Sequence, residues 1–498
     1  MLVLLRNVFL LISILLFFIG IIADSINIIN FSIFLLLIQN IWFAFEKFSE
    51  RVIFFSFNIT LFVFILSRPF IITLFDYQHS EAGFFGTEIY DPRVIINIFI
   101  GIYISMLFLF LGNLLMEKRI LNKKVSENIL EKTYNKSLFW IYFKNISKYF
   151  FYFLLIFRFL YLKDQTSFVQ ESGYFDFYTS YKSNLPPIVV KLSEMYAVPF
   201  FAFLSVKPTK KEAILPILLY LIEGVISLGT GKRAGFILNI IIILIYFAFR
   251  DKDSKKKWLG KKEIITTITA IPIVATLMNI VSYTRVGMTE ATSNVNNMVL
   301  EFFYKQGVTL KTLAYSQEFK VVYPDHQMYS LGTIIEFLKS NIITQLFFDF
   351  PVYSGQSIER ALNGNLFSHR ISYYIMPSGY LQGRGYGSSY IAELNVDFGI
   401  IGVAIGSFLF GLLFVVLYKW FFNGKPYIST FALLLIRNLM MTPRSETTAF
   451  ITSSFTLINI LGVVILLFSS YLFINLFNKS QFIIINNRLE MEKRYERN

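Results

Sequence analysis

Apolar runs long enough to be membrane helices follow one another along most of this chain, and short polar stretches rich in lysine and arginine separate them. A helix needs about 20 residues to cross ~30 Å of hydrocarbon. On that length the pattern predicts twelve spans, at 3–22, 26–45, 52–75, 94–116, 141–162, 186–206, 213–229, 234–249, 264–283, 390–418, 427–442 and 448–477. No alternating barrel pattern is present, and a helix satisfies its own backbone polar groups in lipid. The fold class expected is therefore all-α, a polytopic integral membrane protein. The first run carries Arg6 ahead of its apolar stretch and is followed by "ADSIN", a poor cleavage site, so it reads as a retained signal anchor.

Composition agrees, and charge adds a direction. Hydrophobic residues make up 55% of the chain and charged ones 16%, against the ~25% charged usual in soluble domains. A formal charge of +14 on a soluble protein would suggest nucleic acid, but here most of the basic residues sit in loops and report topology. With the N-terminus inside, the inner loops hold 28 lysines and arginines; the outer loops hold seven, leaving aside the long segment near 284–388. The positive-inside rule then puts both termini in the cytoplasm. The organisation expected is spans one to nine over 1–283, an outer segment over 284–389, three more spans over 390–477 and a basic cytoplasmic tail over 478–498. The chain has no cysteine and three histidines, His79, His326 and His369, which excludes disulfide and thiolate chemistry and leaves little for a histidine metal site. No metal and no cofactor are expected.

This orientation makes one short stretch unusual. "LGTGKRAGFIL", residues 228–238, is a tight turn on the outer face that carries Lys232 and Arg233 against the charge rule. Both could snorkel to lipid headgroups. A functional role has to be built from several such residues, and Arg285, Arg384, Arg437 and Arg444 also fall at outer ends of predicted spans. Guanidinium cannot shed its charge, so a cluster of them needs anions, water or acidic partners nearby. A lipid-linked diphosphate in the outer leaflet would be such an anion, held by bidentate charge-assisted hydrogen bonds.

Acidic groups in the same layer are few. Glu393 and Asp397 lie four apart, on one face of a predicted helix. Glu393 could act as a general base on a sugar hydroxyl or pair with one of the arginines. His326 and His369 are the other candidate bases. The outer segment contains "YSLGTIIEFLKSNIITQLF", whose apolar positions recur at helical spacing and predict an amphipathic helix. A Gly/Tyr-rich loop follows, with Arg370, Arg384 and Tyr386 among its residues; Tyr faces with a terminal hydroxyl suit sugar rings as well as interfacial anchoring. The only Asp-x-Asp, Asp251 to Asp253, lies in a lysine-rich loop on the cytoplasmic side and reads as a solvated face.

At the "GTGKRAGFIL" turn and at "GYGSSYIAELNVDFGIIGVAIGSFLFG", residues 385–411, the chain resembles the O-antigen polymerase family, the Wzy-like oligosaccharide repeat-unit polymerases. The resemblance also covers the many-span layout with a long outer segment late in the chain. It implies a GT-C-like bundle in the bacterial inner membrane and a glycosyltransferase facing the periplasm. The reaction implied moves a growing glycan from one undecaprenyl diphosphate carrier to the terminal sugar of a second carrier-linked unit, inverting and without metal. Membrane lipid, a chain-length regulator and a flippase are the further partners it implies; nucleic acid is not. Arg233, Arg285, Arg384 and Lys232 would hold the donor diphosphate. Arg437, Arg444, Arg370 and Tyr386 would position the acceptor, and Glu393, His369 or His326 would take its proton. The same stretch is similar to the O-antigen ligases, but the His-Asn of the ligase motif falls on Ser388 and Ser389 here. A flippase for the same lipid is the alternative from another class, although the intramembrane charges are few (Arg68, Arg158, Lys191, Glu194, Glu223) and no half-to-half repeat is evident.

Overall fold

A computed structural model describes residues 2–75, 91–120, 138–253, 257–286, 298–319, 324 and 327–495, with 2, 120, 253, 282–286, 342–343 and 477–495 in backbone only. Helices make up most of the described residues, and no strand occurs among them. Among the described residues eleven helices are long and apolar enough to cross a membrane. The first nine are α1 (Leu2–Ile22), α2 (Ile26–Glu46), α3 (Phe48–Phe75), α4 (Pro92–Ile120), α5 (Leu138–Ser172), α6 (Pro187–Ser205), α7 (Lys210–Ser227), α8 (Ala234–Asp253) and α9 (Lys261–Val286). The eleventh predicted span, 427–442, is a helix of only 14 residues, Pro426–Leu439. That is about 21 Å of helix, and a 3₁₀ turn, Thr442–Arg444, follows it.

The segment after α9 does not simply leave the bundle. Helices α10 (Met298–Gln306) and α11 (Thr309–Glu318) wedge back into it, α10 against α9 and the end of α3, and α11 against α4 and the helix that begins at Tyr390. Between them Gly307 lies so close to α3 that a Cβ would strike the backbone of Arg68. The Ser67 hydroxyl donates to Phe303 O at 2.7 Å. The amphipathic stretch is two helices, α12 (Gly332–Lys339) and α13 (Ile342–Phe347). They part at Ser340–Asn341, where Asn341 O starts the second helix by accepting from Gln345 N at 2.9 Å.

Residues Tyr390–Asn423 form α14, which was expected to be one continuous span over 390–418. Its chain reverses at Gly399, where φ is 64° and ψ is −159°, a conformation essentially confined to glycine. The half-helix before it lies back along the half after it. Leu394 packs where Gly406 has no side chain, Phe398 packs on Gly402, and the rings of Tyr390 and Phe410 meet at 5.2 Å. In a straight helix Tyr390 and Phe410 would be about 30 Å apart. The spacing of glycines 399, 402 and 406 thus encodes a hairpin. The second half then crosses α4 with backbones in contact at Gly112 and Gly411, since a Cβ on either would strike the partner helix's carbonyl. This is the small-residue packing that lets membrane helices approach closely. The Tyr390 hydroxyl reaches Ser105 in the middle of α4, at 2.6 Å. The hairpin therefore carries the preceding loop, residues 385–389, down into the bundle.

The helix Pro426–Leu439 (α15) fills the centre, against α6, α8 and α14, and α16 (Leu457–Tyr495) closes the outside against α5. The end of the bundle away from the 228–238 turn is tied by carboxylates: Glu46 pairs with Arg6 and Arg51, and Glu117 with Lys47 and Arg51.

Candidate functional site

The 228–233 turn is shaped by its own residues. A 3₁₀ turn over Leu228–Thr230 ends at Gly231, whose φ of 75° is left-handed and whose N–H donates to Leu228 O at 2.8 Å. Gly229 abuts the Thr166 side chain of α5. This geometry turns Lys232 and Arg233, just ahead of α8, into a cavity of about 560 Å³ between α5, α7, α8 and the 441–444 turn. Arg158, Lys232, Arg233 and Arg444 all line it, together with Gln165 and Gln306 and an apolar wall of Phe64, Leu162, Ile237 and Met441. Among the described residues no acidic one lines the cavity.

Each cation is held in place. Arg158 Nε donates to Glu223 Oε1 at 2.8 Å, with its guanidinium 4.9 Å from the Tyr196 ring centroid. Glu223 also accepts from Asn239 Nδ2 at 3.2 Å, and Asn239 Oδ1 in turn accepts from Arg437 Nη2 at 2.9 Å. One buried carboxylate therefore serves two guanidiniums, one directly and one through an amide, and leaves the layer strongly positive. Arg233 Nη1 donates to Met278 O of α9 at 3.1 Å, and Arg444 Nη1 to Gln306 Oε1 at 2.9 Å. The Lys232 ammonium lies 4.1 Å from the Phe177 ring centroid. Burial, and then the charge of Arg158, push its pKa down to about 8.

A second, open groove of about 1020 Å³ adjoins the first cavity. The two share Tyr174, and the 228–231 part of the turn forms the groove's wall. Arg384 lies here and not in the cavity, with its guanidinium 4.9 Å from the Phe175 ring centroid. Gly383, at φ 89°, lets the loop approach the Phe175 carbonyl closely. Gln170, Ser172, Asp176 and Gln382 are the groove's other polar residues.

The remaining candidates fall elsewhere. Glu393 is wholly buried; Oε1 accepts from Ser388 Oγ at 2.6 Å, and Oε2 from Thr447 N and Oγ1, both at 2.8 Å. It pins the start of α14 to the 445–448 turn, and among the described residues no arginine pairs with it. Asp397 accepts from Tyr329 N and Ser330 N, at 3.1 and 2.7 Å, so the two carboxylates clamp different segments. His369 Nδ1 lies 2.8 Å from the Tyr380 hydroxyl. Burial, and then the Arg360 charge, hold its pKa at about 4, so the ring is neutral at neutral pH. Arg370 donates to Leu362 O at 3.1 Å, ending the helix Ile358–Asn363. Tyr386 meets the Tyr315 hydroxyl at 3.4 Å, beside Thr312 and Gly387. Arg437 lies behind the cavity wall, on Asn239. His326 is outside the described residues, and so is the side chain of Arg285.

Arg158 is the member of the cavity that sequence reasoning left out. Its signal was present, a lone arginine within "LLIFRFLYL" in a predicted span, because an intramembrane charge marks a functional site by default. Its carboxylate partner lies 65 positions away, so the pairing itself had no local signature.

The family model described as O-antigen polysaccharide polymerase Wzy matches residues 5–480. Neither a curated protein nor a solved structure matches the chain.

Proposed function

The chain belongs to the O-antigen polysaccharide polymerase Wzy family, and from that premise we propose that the four-cation cavity binds the diphosphate of the donor lipid during glycosyl transfer. This is a multi-pass membrane protein of O-antigen repeat-unit polymerisation, and it acts on lipid-linked oligosaccharide repeat units. The observation that carries the finer reading is the convergence of Arg158, Lys232, Arg233 and Arg444 on one cavity that, among the described residues, has no acidic lining. Cations at such density within a bundle are tolerated when an anion occupies the site. The apolar wall of Phe64, Leu162, Ile237 and Met441 suits the first isoprene units.

In this reading the anomeric carbon of the donor sugar sits at the cavity mouth. A hydroxyl of the acceptor attacks it from the face opposite the diphosphate, the C1–O bond breaks, and its electron pair leaves with the lipid diphosphate. The configuration inverts in a single displacement. Fixed guanidiniums stabilise the charge gathering on the leaving group, which is the role preorganised cations serve at departing phosphates. Neither Glu393 nor His369 lines the cavity or the adjoining groove. The excess of lysine and arginine in the opposite loops supports a cavity that faces the periplasm from the inner membrane.

The test is polymerisation from purified lipid-linked repeat units by the Arg233→Ala, Arg444→Ala double variant. Loss of two charge-assisted contacts at about 1.5–3 kcal/mol each predicts a rate at least about 100-fold lower and weaker donor binding. Unchanged rate and chain length would overturn the assignment.

A further inference from the structure

The groove beside the cationic cavity holds a carboxylate with no structural task. Asp176 starts a single helical turn, Asp176–Thr179, whose backbone is fixed: Asp176 O accepts from Ser180 N at 2.9 Å, and Phe175 O from Tyr178 N at 3.0 Å. Its side chain is exposed, and among the described residues no donor hydrogen-bonds to it and no cation pairs with it. Several other carboxylates on this side of the molecule are engaged, and the exposed Glu171 beside the groove does not line it. Asp164 accepts from Tyr181 and Ser183, Glu336 from Arg360 and the Asn365 amide, Glu393 from Ser388 and Thr447, and Asp397 from Ser330.

Among the described residues, Asp176 is the only acidic one lining either chamber. It is also tied to the cation site by one residue, because Phe177 carries the Lys232 ammonium on its face. Around it the groove offers what a sugar needs: Gln170 and Gln382 amides and the Arg384 guanidinium as donors, and the Tyr174 and Phe175 rings as flat apolar surfaces.

We propose that this groove holds the terminal sugar of the acceptor and that Asp176 is the general base that takes the proton from its attacking hydroxyl. This rests on the reading of the neighbouring cavity as the donor diphosphate site. The acceptor O–H breaks and its proton passes to the Asp176 carboxylate; the freed oxygen pair forms the new bond to the donor's anomeric carbon. The old C1–O pair departs with the lipid diphosphate. Asp176 then returns its proton to the water in the open groove. The arrangement separates the two tasks by charge: cations alone where negative charge gathers, a carboxylate where a proton must leave.

The experiment measures, in the full-length protein, single-turnover coupling of a lipid-linked donor repeat unit to a soluble acceptor glycan. Alongside it are donor affinity and the thermal midpoint in detergent. For Asp176→Asn the coupling rate falls at least about 100-fold, the usual lower share of general-base catalysis, with donor affinity and thermal midpoint unchanged. Asp176→Glu restores part of the rate, and the residual Asn rate rises with pH as hydroxide replaces the lost base. A rate within about threefold of wild type, or a fall in rate matched by an equal fall in donor affinity or stability, overturns the proposal. The Arg233→Ala, Arg444→Ala variant run in parallel separates the two ideas. Unchanged donor affinity there removes the diphosphate site itself, whereas an inert Asp176→Asn with that affinity loss intact removes only the base.

Discussion

Lys232 makes the pH dependence of donor binding a sharp prediction. Its pKa of about 8 means that the ammonium sits in the cavity against a charging penalty of about 3 kcal/mol, part of which water at the cavity mouth screens. The unfolded chain keeps this proton to about pH 10.4 and the folded chain releases it near 8. Between those values the unfolded state binds more protons, so the ligand-free protein gains stability as pH rises through this window. Donor affinity moves the other way, because a neutral amine loses its charge-assisted contact with phosphate. That contact is worth about 1.5–3 kcal/mol, which weakens binding by about 10- to 100-fold before it levels off. The three arginines of the cavity stay charged throughout, and a diphosphate diester is fully ionised well below the window, so Lys232 sets the slope. Anisotropy of a labelled short-chain prenyl diphosphate sugar in detergent, from about pH 7 to pH 9.5, reads the dissociation constant directly. Lys232→Met flattens the profile at the weak limit, and Lys232→Arg flattens it at the tight one. A wild-type constant that does not change over this range, or a slope that survives in Lys232→Met, refutes the reasoning.

Three further outcomes follow from the packing. Glu223→Ala leaves Arg158 buried without its carboxylate and disconnects Arg437 from it; unfolding in detergent reports a loss of about 3–5 kcal/mol, partly recovered by adding the diphosphate lipid. Glu393→Ala strands the Thr447 N–H and two hydroxyls in the interior, so the thermal midpoint falls by the equivalent of about 2–4 kcal/mol, whereas donor affinity changes little. Gly399→Ala adds a methyl that meets nothing within 4 Å, so its effect isolates the backbone strain of the reversal, about 1–3 kcal/mol; Gly406→Val, by contrast, collides with Leu394 and is expected to abolish the folded hairpin, read as loss of monodisperse protein in size-exclusion chromatography.

The turn at Lys232 and Arg233 was legible because two separate signals coincide there. Hydropathy marks the ends of two spans, and loop charge marks the pair as an exception to its own side. Arg444 was legible for the same reason. Arg384 stands out in the sequence as a cation before a span, but its position one chamber away from the cavity depends on the approach of Gly383 to the Phe175 carbonyl, which is distant in sequence. The carboxylates were harder. Glu393 and Asp397 share a helix face in the sequence pattern, yet their partners are Thr447 and Ser330, and nothing near position 393 tells a clamp from a base. Asp176 lies in a short polar stretch between two apolar runs, so hydropathy passes over it.

By itself, the amino-acid sequence determined that this is a helical membrane protein, how most of its spans are bounded, which loops are basic, and the family to which it belongs. These follow from local properties: run length against bilayer thickness, charge per loop, and residues adjacent along the chain. Only the tertiary structure decided that α14 doubles back at Gly399, since both arms of the hairpin are apolar and hydropathy cannot tell a reversal from a continuation. It alone brought Arg158 of α5 to the turn before α8, settled Glu223 between two guanidiniums, and left Asp176 without a partner among the described residues. Where charges meet in a bundle is set by contacts between segments tens to hundreds of residues apart, and those contacts have no local trace.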